Sequence, residues 1–351
     1  MEEYIAFDSH KHYTWVEHEP VAGGRVRCYR LAHEPGAIRR ALAGCEPGTA
    51  VALEATANWY WIVGEIEQAG LVPRLVHPRK AKLMMGLINK TDRLDAHGLN
   101  RLQRNGTLPT VWIAPGRLRD VRELTRTRVV LVRQRTRWKN RLTATLAKHG
   151  VPASAYSDPY GKGAREELQA RIERLPEQTR WASGQMRAQL ESLSEQVVQF
   201  ERRLKDLVEV TPPMQRLMTL PGVGVILSAT VALEIGTIER FASAGHLASY
   251  AGTTPRVHAS GGRVRYGRTR PDVNRYLKWA FAEAANSVAV NHTRLPQRHV
   301  SRLYRRLRER KGHGKAVGAV ARHLAEAAFY VLSREEAYRE PTPTGARARQ
   351  G

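Results

Sequence analysis

The chain lacks the features of secreted, membrane-spanning and zinc-finger proteins. Its 351 residues include only two cysteines, Cys28 and Cys45, too few for a disulfide framework or a four-cysteine zinc site. No apolar run approaches the roughly 18 residues that a membrane-spanning helix needs. The start of the chain shows no basic segment followed by an apolar one, as a secretory signal would. We therefore expect a cytoplasmic protein with no membrane partner.

Acidic residues are scarce relative to basic ones. The 57 lysines and arginines outnumber 33 aspartates and glutamates, which gives a net charge of +24. The excess is concentrated in residues 71–150, with 19 basic and 4 acidic residues, and in residues 261–351, with 20 and 7. Charge concentrated in this way favours a surface that binds a polyanion, and nucleic acid is a better candidate than a membrane surface.

The N-terminal part of the chain has the pattern of a mixed α/β domain. Short apolar or alternating runs predict β-strands at residues 4–7, 25–31, 50–53 and 71–76. Helical patterns lie between them, at 35–43 and 58–69. The expectation for residues 1–115 is therefore a mixed sheet covered by helices.

The middle of the chain predicts long helices. An arginine-rich helical pattern runs from Arg117 to Lys148. After it, apolar residues recur in alternating steps of four and three, at Met186, Leu190, Leu193, Val197, Phe200, Leu204 and Leu207. This heptad seam predicts a helical arm, either a hairpin packed within one chain or a coiled coil between chains. The basic helix and the arm together occupy residues 116–212.

The C-terminal part predicts a mostly helical domain at residues 213–333. Its helical patterns fall at 225–236, 273–290, 296–311 and 315–333. Residues 334–351 are rich in proline, threonine, glycine and arginine, a composition typical of a disordered tail. The predicted fold class is thus α/β followed by α.

Four carboxylates are candidates for one metal site. Asp8 and Glu54 each end an apolar strand, and side chains at strand ends converge on one crevice of an open α/β sheet. Asp92 and Asp95 are three residues apart, on one face of a predicted helix. Four carboxylates in one crevice repel unless a cation lies between them, so the set predicts a Mg²⁺ or Mn²⁺ site for phosphoryl transfer. Taken singly, each acid also suits a helix end or a turn.

Two glycine-containing turns in the C-terminal domain suit contact with DNA. Pro221-Gly222-Val223-Gly224 resembles a helix-hairpin-helix element, in which the amides of Gly222 and Gly224 receive a phosphate. It equally suits a tight turn that needs a positive φ at glycine. The second turn, Ser260-Gly261-Gly262, is surrounded by four arginines: Arg256, Arg263, Arg265 and Arg268.

This second turn has two interpretations. From spacing alone, a hairpin turn between two basic strands is favoured. Alternatively, the Ser260 hydroxyl attacks a phosphodiester while the arginines stabilise the charge of the transition state. Further along, residues 302–311 predict a basic amphipathic helix, whose Arg305 and Arg306 are placed to follow a phosphate backbone.

Together these motifs resemble those of the insertion-sequence 110 family of DEDD transposases. They occur in the family's order over most of the chain, as Tyr4-Ile5-Ala6-Phe7-Asp8, Leu53-Glu54-Ala55-Thr56, Lys90-Thr91-Asp92-Arg93-Leu94-Asp95-Ala96, Leu220-Pro221-Gly222-Val223-Gly224, Tyr250-Ala251-Gly252-Thr253-Thr254-Pro255 and Ser260-Gly261-Gly262. Each motif alone is weak, but together they are specific. Ala259 departs from many members, which have a second serine there.

The resemblance implies a RuvC-like domain in which Asp8, Glu54, Asp92 and Asp95 hold Mg²⁺, and a second domain in which Ser260 forms a phosphoserine link to DNA. It implies a site-specific recombinase that moves its own element between double-stranded donor and target DNA. A structured non-coding bridge RNA would pair with both as the guide. The arm would assemble a dimer or tetramer with composite active centres, in the nucleoid of a bacterium or archaeon.

Two other functions fit the residues. A RuvC-like junction-resolving nuclease would use the acids to activate water, and Ser260 would be only a turn residue. A non-catalytic nucleic-acid-binding protein would use the helix-hairpin-helix element and the basic helices alone.

Overall fold

A computed structural model describes residues 3–20, 24–86 and 91–341, and the chain divides into two compact units, Met1–Gly116 and Arg117–Gly351. The elements of the first unit are β1 (Glu3–Ser9), β2 (Tyr13–Pro20), β3 (Arg27–Ala32), α1 (Ala37–Leu42), β4 (Ala50–Glu54), α2 (Trp59–Gln68), β5 (Val72–Val76), α3 (Pro78–Met85) and α4 (Asp92–Arg104). Those that follow are α5 (Gly116–Lys148), α6 (Arg165–Glu173), α7 (Glu177–Leu207), α8 (Pro212–Leu217), α9 (Val225–Ile235), α10 (Ala244–Tyr250), β6 (Val257–Ser260), β7 (Arg263–Tyr266), α11 (Arg275–Asn291), α12 (His299–Lys311) and α13 (His313–Ser333). The prediction of a mixed sheet with many helices is confirmed.

The sheet of the first unit has the strand order β3-β2-β1-β4-β5. The central strand β1 pairs antiparallel with β2 and parallel with β4. Because side chains alternate along a strand, Ile5 and Phe7 pack with α1 and α2, whereas Ala6 and Ala52 pack with α3 and α4. The small alanine side chains let α4 lie close to the sheet.

Strand β2 is not among the strands that the sequence predicts. Its buried residues include Glu17 and His18, which are 2% and 4% exposed, so the polar residues mask the alternation expected of a strand. Glu17 accepts hydrogen bonds from the side chain of Asn100 on α4 and faces His97. Buried polar groups need such partners, and these partners come from a distant segment of the chain.

Helix α4 begins with a side-chain cap. Its residue before the first turn, Thr91, accepts a hydrogen bond from the backbone N–H of Leu94 at 3.2 Å, as capping threonines do. The preceding Lys90 lies outside the described residues. Leu99 and Leu102, which continue the helix face of Asp92 and Asp95, are buried.

In the second unit, four of the seven residues of the heptad seam are buried within the chain, whereas Leu207 is exposed. Leu190, Leu193, Val197 and Leu204 of α7 are 6% exposed or less. Leu190 shares an apolar cluster with Leu142 and Leu146 of α5 and with residues of α6. Nearer the C-terminus of α7, Glu201 pairs with Arg128 of α5.

The C-terminal helices α8 to α13 enclose one apolar core, with α13 packed against α8, α10, α11 and α12. Residues 334–341, predicted as the start of a tail, are held on this core. The backbone N–H of Tyr338 donates to Thr219, and the Glu340 carboxylate accepts from the N–H of His299. The rest of the predicted tail, 342–351, lies outside the described residues. Among the residues described, none of the helices has the length and apolarity to cross a membrane.

Candidate active site

Two of the four predicted acids lie at the carboxyl ends of neighbouring parallel strands. Phe7 of β1 pairs with Leu53 of β4, so Asp8 and Glu54, one residue further on, end the two strands at the same edge of the sheet. By alternation, both side chains share the face of Ala6 and Ala52, which is the face that α4 covers. The topology therefore directs both carboxylates towards the first turn of α4.

The other two acids, Asp92 and Asp95, form that first turn. Carboxylates there are stabilised by the positive end of the helix dipole. Asp92 is half-buried, whereas Asp8 is 7% exposed. The charges of both α4 aspartates act on Asp8, so the structure brings Asp8, Asp92 and Asp95 into one electrostatic cluster, with Glu54 at the neighbouring strand end.

Two residues that the sequence did not single out complete the cluster. His10 lies between the acids, with Nε2 3.1 Å from Asp8 Oδ2 and 3.3 Å from Asp92 Oδ2. The Tyr13 hydroxyl donates to Asp92 Oδ2 at 2.8 Å. Tyr13 stacks on His10, with ring centroids 4.7 Å apart, and the Arg30 guanidinium lies 3.7 Å above the Tyr13 ring.

A backbone contact fixes His10. Its carbonyl accepts a hydrogen bond from the Asn58 side chain at 2.8 Å, and Thr56 in turn donates to Asn58. Thr56 is two residues after Glu54 in the Glu motif, so the residues after β4 hold the loop after β1. The sequence signal for His10 is its position two residues after Asp8, and Tyr13 becomes recognisable only once β2 is known.

Asp8 is in an unfavourable environment for a carboxylate. Burial raises its pKa above the usual range; His10 opposes that shift, and the charges of Asp95 and Asp92 add to it. A cation beside the carboxyl oxygens would relieve this cost. Donor atoms of Asp8, His10 and Asp92 lie within 4.8 Å of one another, and two carboxylates with an imidazole form a donor set that suits a divalent cation.

Ser260 lies in the second unit, on the hairpin of β6 and β7. Gly261 and Gly262, with φ of 55° and 75°, form its two-residue turn, and positive φ at both positions is the requirement of a type I′ turn. The register pairs Ser260 with Arg263 and His258 with Arg265. Since side chains alternate, these four share one face of the hairpin.

The other predicted contacts with nucleic acid lie elsewhere on the second unit. Arg268 is exposed and Arg256 is half-buried beside the hairpin.

Gly222, with a φ of 80°, lies so close to α11 that a Cβ atom would be 2.4 Å from the Ala284 carbonyl oxygen, which accounts for this glycine by packing alone. Gly224 is exposed and precedes α9. Arg305 and Arg306 are exposed on α12, opposite the buried Val300 and Tyr304.

Comparison with known proteins places both units in one family. A family model described as "Transposase", for the DEDD type of insertion sequence 110, matches residues 7–150. A second, described as "Transposase IS116/IS110/IS902 family", matches residues 214–301. The first match contains the four acids, and the second contains the hairpin with Ser260.

Curated relatives agree with the family models. A "Probable family 20 transposase" of Pseudomonas aeruginosa is 26% identical over 300 residues, covering 84% of this chain and 86% of the relative. A "Transposase for insertion sequence element IS1111A" of Coxiella burnetii is 24% identical over 271 residues, covering 77% and 74%. A "Pilin gene-inverting protein" of Moraxella bovis is 38% identical over 72 residues, covering 19% and 22%. The chain belongs to the insertion-sequence 110 family of DEDD transposases and is a DNA transposase, an enzyme that cleaves and rejoins DNA strands.

Proposed function

We propose that this transposase inserts and excises its own mobile element, with a divalent cation held by the acidic cluster and with Ser260 as the nucleophile. The observation that carries the proposal is the cluster itself. The fold brings acids from a strand end and from a distant helix onto one histidine, at the cost of burying Asp8. An arrangement that is electrostatically unfavourable in the free protein is typical of an active site.

The metal proposal concerns Mg²⁺ or Mn²⁺ and the residues Asp8, Glu54, Asp92 and Asp95. A divalent cation there would polarise a phosphoryl oxygen and stabilise the charge that develops during strand transfer. Asp8 and Asp92 already lie close enough to share one ion. Tyr13 orients Asp92 through its hydrogen bond, and outer groups of this kind set the direction of a ligand's lone pairs. The strand order of the sheet supports a RuvC-like assignment of this unit.

Ser260 has the surroundings that a phosphodiester nucleophile needs. It is exposed, and Arg263 and Arg265 share its face. In the proposed step, Ser260 Oγ forms a bond to phosphorus while the bond from phosphorus to the leaving deoxyribose oxygen breaks. The serine proton passes to a base, for which His258, on the same face of the hairpin, is the candidate, and the leaving oxygen gains a proton. Attack by another DNA hydroxyl then releases the serine.

The remaining proposals concern partners. Donor and target DNA and a structured guide RNA would all be bound through their backbones, which suits exposed arginines on α5 and α12. The names of the relatives support an insertion element as the substrate. For the arm, we propose a contact between chains through the apolar residues of α7 that stay exposed, Trp181 (68%), Leu207 (46%) and Val198 (44%). Glutamate at all three positions should lower the mass measured by light scattering, and an unchanged mass would contradict this contact.

The deciding experiment looks for DNA bound covalently to the protein. The transposase is expressed with the DNA that flanks its gene and a target plasmid, and the protein is recovered after heating in SDS. We expect DNA ends on the wild type and none on Ser260→Ala or Asp92→Ala, because each lacks one half of the chemistry.

Other outcomes select the alternatives. Free-ended nicks that need Asp92 but persist in Ser260→Ala would identify a metal-dependent nuclease that activates water. DNA binding without cleavage by any variant would identify a binding protein. Equal adducts with wild type and Ser260→Ala would remove Ser260 from the mechanism.

A further inference from the structure

The loop that carries Ser260 projects from the helices of the second unit, and its two ends meet at a narrow neck. It connects α10 to α11, and we define the neck as Tyr250, Gly252, Val273 and Asn274. The N–H of Asn274 donates to the Tyr250 carbonyl at 2.8 Å. Gly252 has a φ of 66°, and a Cβ atom there would lie 2.6 Å from Val273 Cγ2. The two ends of the loop are therefore in direct contact.

The Asn274 side chain uses both of its polar atoms at the neck. Its Oδ1 accepts hydrogen bonds from the N–H groups of Tyr276 and Leu277, both at 3.0 Å, and so caps α11. Its Nδ2 donates to Glu234 Oε2 at 2.7 Å and to the Tyr250 hydroxyl at 3.3 Å. One side chain thus fixes the start of α11, the end of α10 and the direction of the loop between them.

Glu234 links this neck to helix α5. It lies on α9, is fully buried, and accepts hydrogen bonds from Arg122 and from Arg126 Nε, the latter at 2.7 Å. Both arginines belong to α5, and the Arg126 guanidinium lies 5.0 Å above the ring of Tyr276, two residues beyond Asn274. The carboxylate therefore joins α5, α9 and the base of the Ser260 loop.

The cluster of Glu234, Arg122 and Arg126 places charged groups in a protein core, where their desolvation costs free energy. Burial by itself would raise the pKa of Glu234, but the hydrogen bond from Arg126 and the charges of both arginines outweigh it and lower the pKa. Apolar residues of similar volume often stabilise a protein as well as a buried ion pair does. Unlike apolar side chains, the cluster forms directional hydrogen bonds, which fix how α5, α9 and the start of α11 lie relative to one another.

We propose that Glu234 is a positioning residue, which acts through Asn274 to set the direction of the Ser260 hairpin and to couple that direction to helix α5. The inference rests on the proposed function in one respect, the role of Ser260 as nucleophile. The geometry of the neck can be tested without it.

Two variants distinguish a role of Glu234 in positioning the hairpin from a role in the stability of the fold. Asn274→Asp keeps an oxygen to cap α11, because Asp and Asn cap equally well, but it loses the donor to Glu234 and places two carboxylates together. Glu234→Gln removes the charge. The control Glu201→Gln breaks another ion pair between α5 and a neighbouring helix, and Leu324→Ala loosens the same apolar core without removing a polar contact of the neck.

The direct measurement is a distance distribution between two spin labels. Val264→Cys on the hairpin and Val290→Cys at the end of α11 provide exposed positions (55% and 77%), in a chain with Cys28→Ser and Cys45→Ser. We expect the distribution to broaden about twofold in Asn274→Asp and Glu234→Gln, because the supporting contacts of the loop are lost. Glu201→Gln and Leu324→Ala should keep the original width.

The covalent-capture assay gives the second measurement. A hairpin displaced by about 1 Å should lower adduct formation by about 100-fold, while DNA binding stays unchanged. An unchanged distribution in Asn274→Asp would overturn the proposal, as would equal broadening in all four variants or a wild-type distribution as broad as theirs. Absence of adduct with the wild type would contradict the proposed function instead, since the distance measurement needs no reacting serine.

Discussion

Asp8 in the first unit and Glu234 in the second are both buried carboxylates, but their surroundings shift their pKa values in opposite directions. Burial raises the pKa of Asp8, and of the charged groups around it two are further acids, Asp92 and Asp95. Burial also acts on Glu234, but Arg126 and Arg122 outweigh it and lower the pKa. The protein supplies the positive charge for Glu234 itself, whereas Asp8 needs more than His10 provides. The difference separates an acid that supports the structure from one that, in the proposed function, binds a cation.

The largest change in stability is expected when the charge of Glu234 is removed. Glu234→Gln removes the counter-charge of the buried Arg122 and one of the two carboxylates that face the partly buried Arg126, which should cost about 3–5 kcal/mol of the unfolding free energy. Calorimetry of the second unit's transition measures the loss. The half-exposed pair of Glu201 is the control, and Glu201→Gln should cost about 1 kcal/mol or less. Equal losses in the two variants would remove the distinction.

The second effect concerns the positive charge that a divalent cation would add beside Asp8. Mg²⁺ or Mn²⁺ at 100 times its dissociation constant should stabilise the first unit by about 2.7 kcal/mol, because it binds only the folded state. Asp8→Asn and Asp92→Asn should abolish this rise in melting temperature. Glu65→Gln, which alters a buried acid on α2 paired with Arg39, should retain it. A rise that survives Asp8→Asn would place the cation elsewhere.

A smaller effect of opposite sign is expected without divalent cation. Asp8→Asn should then raise the unfolding free energy by about 0.5–2 kcal/mol, as exchanges of stability for function commonly do. Neutralising Asp8 thus stabilises the protein, whereas neutralising Glu234 destabilises it. Thermal unfolding in EDTA tests the sign. A loss of stability in Asp8→Asn would show that His10 already satisfies the carboxylate.

The smallest effect is on pH dependence. Because the pKa of Glu234 is lower in the folded chain than in the unfolded one, its contribution is fully present above the unfolded value of about 4.3. It is lost as the pH falls through the folded value. The difference in stability between wild type and Glu234→Gln should therefore be constant from about pH 5 to 8 and shrink below about pH 4.3. A difference that widens on acidification would contradict the lowered pKa.

Local sequence patterns predicted the strands that end at Asp8 and Glu54 and the helix that carries Glu234. Asp8 and Glu54 were candidates because each ends an apolar strand, and Asp92 because it lies with Asp95 on one face of a predicted helix; the structure has both strand ends and the helix. His10 and Tyr13 were not found, because their contacts depend on β2 turning back beside β1. That strand was hidden by polar residues whose partners come from α4.

The Glu234 cluster was missed for a related reason. Its members are spread over α5, α9 and the start of α11, so no local spacing joins them. A signal was nevertheless present, because Glu234 is the one charged residue in the helix Val225–Ile235. A single acid in an apolar helix has to be paired when that helix is buried.

The exposed hairpin has a consequence for the host of a mobile element. All eight residues of β6 and β7 are exposed, including the apolar Val257 and Val264. A two-stranded ribbon with no core is only marginally stable in water, and a bound polyanion along its arginines offsets the entropy lost on ordering it. If Ser260 is the nucleophile, nucleic acid bound along the ribbon adds order to the reactive group beyond the direction that the base of its loop already fixes. An enzyme built in this way spares the chromosome from indiscriminate breaks while it is unoccupied.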